Sequence, residues 1–283
     1  MKIARPTTRL ARLRKYAGCA GVVLLGGLLS AAANAVVGDN ILQGKHRTEA
    51  FAERDEFRNP ALTLAFFQVE PTMSVVEIWP GAGWYTEILA PYLRAGTYYA
   101  AHFPDNTGVA YYNTNLARFK AKLAGDGAVY GAVKLALFDP KQSLLTVPDG
   151  SADRVLTFRN VHNWLGAKSE AQAFALFYKA LKPGGILGVV EHRAVPGAAW
   201  EDMKSSGYMT EAYVIDLAEK AGFVLDARSQ INANPKDTKD YPAGVWSLPP
   251  SLKLGEKDRA KYLAIGESDR MTLRFRKPDV AAR

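Results

Sequence analysis

The chain has 283 residues, 48% of them hydrophobic, with no internal repeat or low-complexity segment, which suits one α/β domain with a substantial core. Its formal charge is +8, but six of the 36 basic residues lie within residues 1–15, so the remainder carries 30 basic against 28 acidic residues, or +2; the high pI is therefore largely a feature of that segment and is not read as nucleic-acid binding. The single cysteine, Cys19, lies in the N-terminal segment, so disulfides and thiolate catalysis are excluded for the rest of the chain.

Residues 1–35 read as a secretory signal. Lys2, Arg5, Arg9, Arg12, Arg14 and Lys15 form a basic region without an acid. An uncharged run from Tyr16 to Val37 follows, and Ala33-Asn34-Ala35 fits a small-residue cleavage site. The expectation is an exported, periplasmic protein, tethered to the outer face of the inner membrane if the signal is uncleaved. Cys19 precedes the apolar core, where a lipoprotein cysteine would follow it.

Residues 36–72 read as a helical segment in two pieces, broken at Asn59-Pro60 and ended by Pro71. Residues 73–283 then alternate. Strands are expected at Ser74–Trp79, Thr97–Ala101, Val133–Phe138, Ala152–Phe158, Ile186–Glu191, Phe223–Arg228 and Met271–Arg276. Helices are expected at 84–93, 113–124, 170–181 and 211–221. Ser169 with Gln172 three residues on has capping-box spacing, and Gly222 is a C-cap. This rhythm predicts an α/β fold, a doubly wound, mostly parallel seven-stranded sheet with an antiparallel last strand. Residues 231–270 form a long connection rich in Pro, Lys and Asp, read equally as a binding loop or as a packing flap.

The most informative segment is Glu77–Thr86. An apolar strand runs into an acid, then Trp79-Pro80-Gly81-Ala82-Gly83, then an amphipathic helix. Glycines let a backbone approach a ligand, and a helix start presents free N–H groups. An acid at the strand end suits a hydroxyl or an amine better than a phosphate.

In order and spacing, the chain resembles the class I S-adenosylmethionine-dependent methyltransferases. Glu77 to Gly83 matches the family's first motif, with Trp79 in place of its first glycine. The position for a ribose-binding acid reads Ala101-His102. Asp139 matches the acid that contacts the adenine amine, and Pro148–Asp153 and Leu181–Gly185 match the family's entries to strands four and five. The segments Glu77–Gly81, Phe158–Trp164, Val190–Arg193 and Asn234–Asp237 further resemble a bacterial subgroup of predicted methyltransferases with signal peptides. The resemblance covers residues 45 to 278. It implies S-adenosylmethionine as cofactor, with Glu77, Trp79, Gly81, Gly83, His102 and Asp139 around it.

Three of the four histidines, His102, His162 and His192, fall just past predicted strand ends, where open α/β sheets bind ligands. His162, with Asn160, is the expected catalytic pair facing the transferred methyl, since an imidazole can take a proton near neutrality. The alternative is that His162 caps its strand end. A shared metal is not expected. His102 starts roughly 10 Å from His162; a site from His162, His192 and Glu191 is conceivable, but strand alternation sends Glu191 and His192 to opposite faces unless the strand has ended there. Glu191, Arg193 and Tyr208 are candidates for the wall of an acceptor pocket.

Two functions follow. One is methyl transfer to a small-molecule or envelope acceptor, without nucleic-acid partners and with membrane contact only through the N-terminal segment. The other is an exported, non-catalytic binding protein that has repurposed the same cleft.

Overall fold

The computed structural model describes residues 37–105 and 107–279. The expected signal, residues 1–35, lies outside them. Among the described residues no helix is long and apolar enough to cross a membrane.

Helices α1 (Asp39–Leu42), α2 (Glu49–Ala52), α3 (Asp55–Arg58) and α4 (Pro60–Phe66) precede the sheet. Asn59 takes a left-handed conformation at the end of α3, and Pro60 opens α4, which accounts for the break at this pair. The strands are β1 (Ser74–Ile78), β2 (Thr97–His102), β3 (Lys134–Asp139), β4 (Leu144–Leu145), β5 (Ala152–Phe158), β6 (Leu181–His192), β7 (Val224–Ser229) and β8 (Arg270–Arg276). Helices α5 (Thr86–Tyr92), α6 (Ala110–Gly125), α7 (Gly127–Tyr130), α8 (Val161–Ala167), α9 (Glu170–Ala180), α10 (Trp200–Ser206), α11 (Glu211–Lys220) and α12 (Arg259–Ile265) complete the fold.

The sheet has eight strands in the order β4-β3-β2-β1-β5-β6-β8-β7, one more than the sequence predicts. β1, β2, β3, β5 and β6 run parallel, while β8 is antiparallel to both β6 and β7. The extra strand is the two-residue β4, antiparallel on the edge of β3. A 3-10 turn at Pro140–Gln142 and a left-handed Ser143 reverse the chain there, and Thr146 closes the reversal by donating its N–H to the Leu137 carbonyl at 3.0 Å.

Alternation along the strands builds a core on each face. Val76, Ile78, Val155, Leu187 and Val189 pack with Trp164, Phe174 and Phe177. Val75, Leu156 and Val190 pack with Phe67, Ile88 and Leu89. Phe67 lies directly on Gly188 of β6, where an added Cβ would come within 2.7 Å of its ring. That close approach docks the N-terminal segment onto the sheet. Glu87, wholly buried, adds a polar anchor: it accepts hydrogen bonds from Arg47, Thr48 and Lys122.

One local expectation changes, and one element is new. Ser169 precedes α9, but its side chain makes no capping bond and its Oγ is buried without a partner. The left-handed Lys168 ends α8 immediately before it, and Ser169 N–H is drawn to the Trp164 carbonyl instead. The new element is the two-turn helix α8, formed by residues after β5 that no expected element covered. Finally, the connection 231–270 runs back over the carboxyl ends of the strands and carries a 3-10 turn (Gly244–Ser247) and α12.

Candidate active site

Above the carboxyl ends of β1, β5 and β6 lies a cavity of about 360 Å³. Gly81, Ala82, Arg159, Asn160, His162 and His192 line it from the sheet. Arg54 and Arg58 border it from the N-terminal segment, and Val245, Trp246 and Pro250 from the connection. A second cavity, of about 120 Å³, sits at the end of β3 between Phe103, Tyr112, Asp139 and Trp164. A third, of about 90 Å³, lies between Tyr112, Asn160 and Asn163. Trp79 borders all three.

Trp79 has φ +47, a left-handed conformation in which glycine is the usual residue. Its indole is held among Phe103, Phe138 and Trp164, at centroid distances of 4.6, 5.7 and 5.5 Å. Its Nε1 donates to the Phe138 carbonyl at 3.1 Å. Aromatic packing and this hydrogen bond offset a backbone strain of order 1–3 kcal/mol. Gly81 (φ +60) and Gly83 (φ +85) follow; a Cβ at Gly81 would meet nothing within 4 Å, so the loop backbone borders open space there.

Glu77 and His102 line none of these cavities and hold the loop from behind. Glu77 Oε2 accepts hydrogen bonds from Tyr98 Oη and, at 3.2 Å, from Thr86 Oγ1. Burial pushes its carboxyl up to about 7, against the opposing effect of those two hydroxyls. His102 is fully buried. Its Nδ1 accepts the Phe103 N–H at 2.9 Å, which leaves the proton on Nε2 to donate to the Gly81 carbonyl at 3.2 Å. Burial lowers its pKa to about 4, so it is neutral at physiological pH. Asp139 borders the second cavity; its two oxygens accept from Lys141 N at 2.9 Å and Gln142 Nε2 at 2.8 Å.

Asn160 and His162 meet at the first cavity. Asn160 Nδ2 donates to the Ile78 carbonyl at 2.9 Å and to Thr157 Oγ1 at 3.2 Å, tying the ends of β1 and β5 together. His162 stands in the first turn of α8. Its Nδ1 lies 3.0 Å from Glu191 Oε1. Glu191 is fully buried; it also accepts the N–H of Val161 at 2.6 Å, of His162 at 3.4 Å and of His192 at 2.8 Å. One carboxylate therefore caps α8 and orients the imidazole. A carboxylate held by N–H donors accepts from Nδ1–H, which leaves Nε2 of His162 with the free lone pair.

At this strand end alternation gives way, and Glu191 and His192 turn to the same side. β6 stops at His192, and the ligating atoms of His162, Glu191 and His192 all lie within 4.8 Å of one another. His192 bonds Ser268 Oγ through Nδ1 at 2.6 Å. Burial first, then the charges of His162, Arg159, Arg270 and Arg58, hold its pKa well below the usual range. The potential here disfavours a cation, and the Glu191 oxygens are already taken by N–H donors. The trio fits a carboxylate-oriented imidazole better than a metal centre.

The residues that sequence reasoning missed are arginines. Glu267 accepts from Arg54 Nε at 2.6 Å, from Arg58 Nε at 3.1 Å and from Arg270 Nη1 at 2.9 Å. Burial alone would raise its pKa, but Arg58, Arg270, Arg54 and Arg159 outweigh it and hold it at about 2. Only the four-residue spacing of Arg54 and Arg58, which puts both on one helix face, hinted at this.

Comparison with known proteins bears on the fold. Residues 77–189 match the family model of a methyltransferase domain. No curated protein sequence matches the chain. Among solved structures, an S-adenosylmethionine-dependent methyltransferase from Aquifex aeolicus superposes with a TM-score of 0.54 at 15% identity, covering 80% of this chain and 93% of its own. The (4+2)-cyclase SpnF superposes with a TM-score of 0.53 at 18% identity, covering 79% of this chain and 81% of its own. At such identities the likeness is one of fold.

The residues present fit the cofactor of that domain. Gly81 and Ala82 offer open backbone on the first cavity. Asp139 offers an acid on the second cavity, beside Phe103 and Tyr112, whose rings stack on each other at 4.1 Å, and Trp79 forms the wall between the two cavities. Residues 77–189 thus match a methyltransferase domain, on a fold shared with a solved S-adenosylmethionine-dependent methyltransferase.

Proposed function

We propose that this protein transfers a methyl group from S-adenosylmethionine to a small molecule bound in the first cavity, with His162 as general base and Asn160 as a positioning residue. The observation that supports this reading is the contact between His162 Nδ1 and Glu191 Oε1. It fixes the tautomer and the ring, and it leaves Nε2 as the basic nitrogen of a residue that lines the cavity.

The bound cofactor would supply a methyl group on a sulfonium, an electrophile that needs no further activation. Gly81 and Ala82 would hold its amino-acid end, and Asp139 with Phe103 and Tyr112 its adenine. The chain's contribution is alignment, exclusion of water and removal of one proton from the acceptor's attacking O–H or N–H. As His162 takes that proton, buried Glu191 compensates the charge of the imidazolium.

Calorimetric titration with S-adenosylhomocysteine should show saturable binding; no heat at millimolar ligand overturns the reading. Methyl-labelled cofactor with a small-molecule extract should give labelled product. Full labelling by His162→Ala would remove the base assignment. We further propose export, on the order of basic, uncharged and small residues in 1–35; a reporter fused after Ala35 that stays inside the cell would refute it.

A further inference from the structure

Three guanidinium groups, those of Arg54, Arg58 and Arg159, border the first cavity, and Arg270 stands behind them. One carboxylate, Glu267, faces all of this charge. The next acids are committed elsewhere: Glu191 to four N–H donors, Glu77 to Tyr98 and Thr86. Even with both counted as charged, positive charge exceeds negative.

The hydrogen-bond inventory shows the same deficit. Arg54 Nη2 is buried without a partner. Arg58 reaches Glu267 only through Nε, with its guanidinium stacked 4.7 Å from the centre of the Trp84 ring. The Arg159 side chain makes no hydrogen bond or ion pair among the described residues, although its backbone, which donates to the Val190 carbonyl at 2.7 Å, stands at φ +61, a strained conformation for a side-chain-bearing residue. Unpaired buried charge is costly, and guanidinium groups match the planar oxygens of carboxylates and phosphates. S-adenosylmethionine does not correct the imbalance. Its amino-acid end is a zwitterion, and its sulfonium adds a further positive charge.

We propose that the acceptor is an anion whose carboxylate or phosphate group is taken by Arg54, Arg58 and Arg159, beside His162. That the anion belongs to the acceptor rests on the methyl-transfer reading; that an oxyanion binds here does not. The proposal also explains why the connection 231–270 reaches back to this edge: through Glu267 and Arg270 it holds Arg54 and Arg58 at the cavity.

Inorganic phosphate and acetate serve as probes, titrated into the full chain at constant ionic strength, with and without saturating S-adenosylhomocysteine. At least one should bind saturably, with the same Kd in the presence of S-adenosylhomocysteine. Arg159→Gln breaks no contact in the fold and should weaken that binding at least about tenfold, with Arg159→Lys weakening it less. Absence of saturable anion binding in the native chain overturns the proposal. So does displacement of the anion by S-adenosylhomocysteine, combined with an Arg159→Gln variant that loses S-adenosylhomocysteine but keeps methylthioadenosine, which lacks the carboxylate. The cluster would then serve the cofactor itself. Anion binding without any S-adenosylhomocysteine binding would keep the site and refute the methyl-transfer reading instead.

Discussion

Glu191 Oε1 lies 3.0 Å from His162 Nδ1, although the two residues are 29 positions apart and stand on β6 and α8. The same carboxylate accepts the first two N–H groups of α8. The base of the proposed reaction and the helix that carries it thus share one buried acceptor.

Glu191→Gln should separate these two roles. The amide cannot accept from every present donor, because one of its terminal atoms now donates. We expect methyl transfer to fall by about 10²–10⁴, close to the effect of His162→Ala. Stability should fall by about 1–2 kcal/mol from the weakened cap. The pH–rate profile is the decisive measurement: an unchanged profile would show that Glu191 does not orient the base.

Glu77 and His102 should give stability opposite dependences on pH. The Glu77 carboxyl, raised by burial from 4.5 to about 7, is more readily protonated in the fold than in the unfolded chain. Its contribution, about 3 kcal/mol, is present below pH 4.5 and lost as pH rises to about 7. His102, lowered by burial from 6.5 to about 4, works the other way: a similar contribution is present above pH 6.5 and lost as pH falls to about 4. His192 adds to that acid-side loss. Urea unfolding of Glu77→Gln between pH 4 and 7 should show stability rising more steeply with pH than in the native chain, and His102→Asn less steeply. Parallel curves for the three proteins would contradict both assignments.

Trp79→Gly restores the residue type that φ +47 favours. Strain relief of order 1 kcal/mol opposes the loss of a large aromatic, worth about 3–5 kcal/mol when fully buried. Trp79 is only half-buried, so a net loss of about 2 kcal/mol is expected, with the first two cavities merging. The urea midpoint should drop; a rise would mean that strain outweighs packing.

Glu267→Gln should be the most destabilising of these changes, by about 3–5 kcal/mol, because it leaves Arg54, Arg58 and Arg270 without their common carboxylate. A loss below 1 kcal/mol would mean that the arginines find other partners and that the connection is not held by this contact.

Much of the fold was legible from local pattern. The break at Asn59-Pro60, the strand at residues 74–78 and the tight turn at Gly81 and Gly83 follow from backbone preferences that act within a few residues. The edge strand β4 was not, because two leucines carry no period. Helix α8 was not either: its N-terminal acceptor, Glu191, lies on another strand rather than at its own start.

By itself the sequence determined the alternation of strands and helices, the acid followed by a glycine turn, and the presence of His162 and Asn160 at a strand end. Backbone conformation and hydrophobic period are local properties, written in neighbouring residues. Only the tertiary structure decided what those side chains do. Glu77 and His102 turn behind the loop and brace it, while Glu191, at a strand end where alternation gives way, turns toward His162. The arginine wall depends on Glu267 meeting Arg54 and Arg58 more than two hundred residues away. Charge is felt across space, and which charges share a buried volume is set by packing, which no single stretch of sequence encodes.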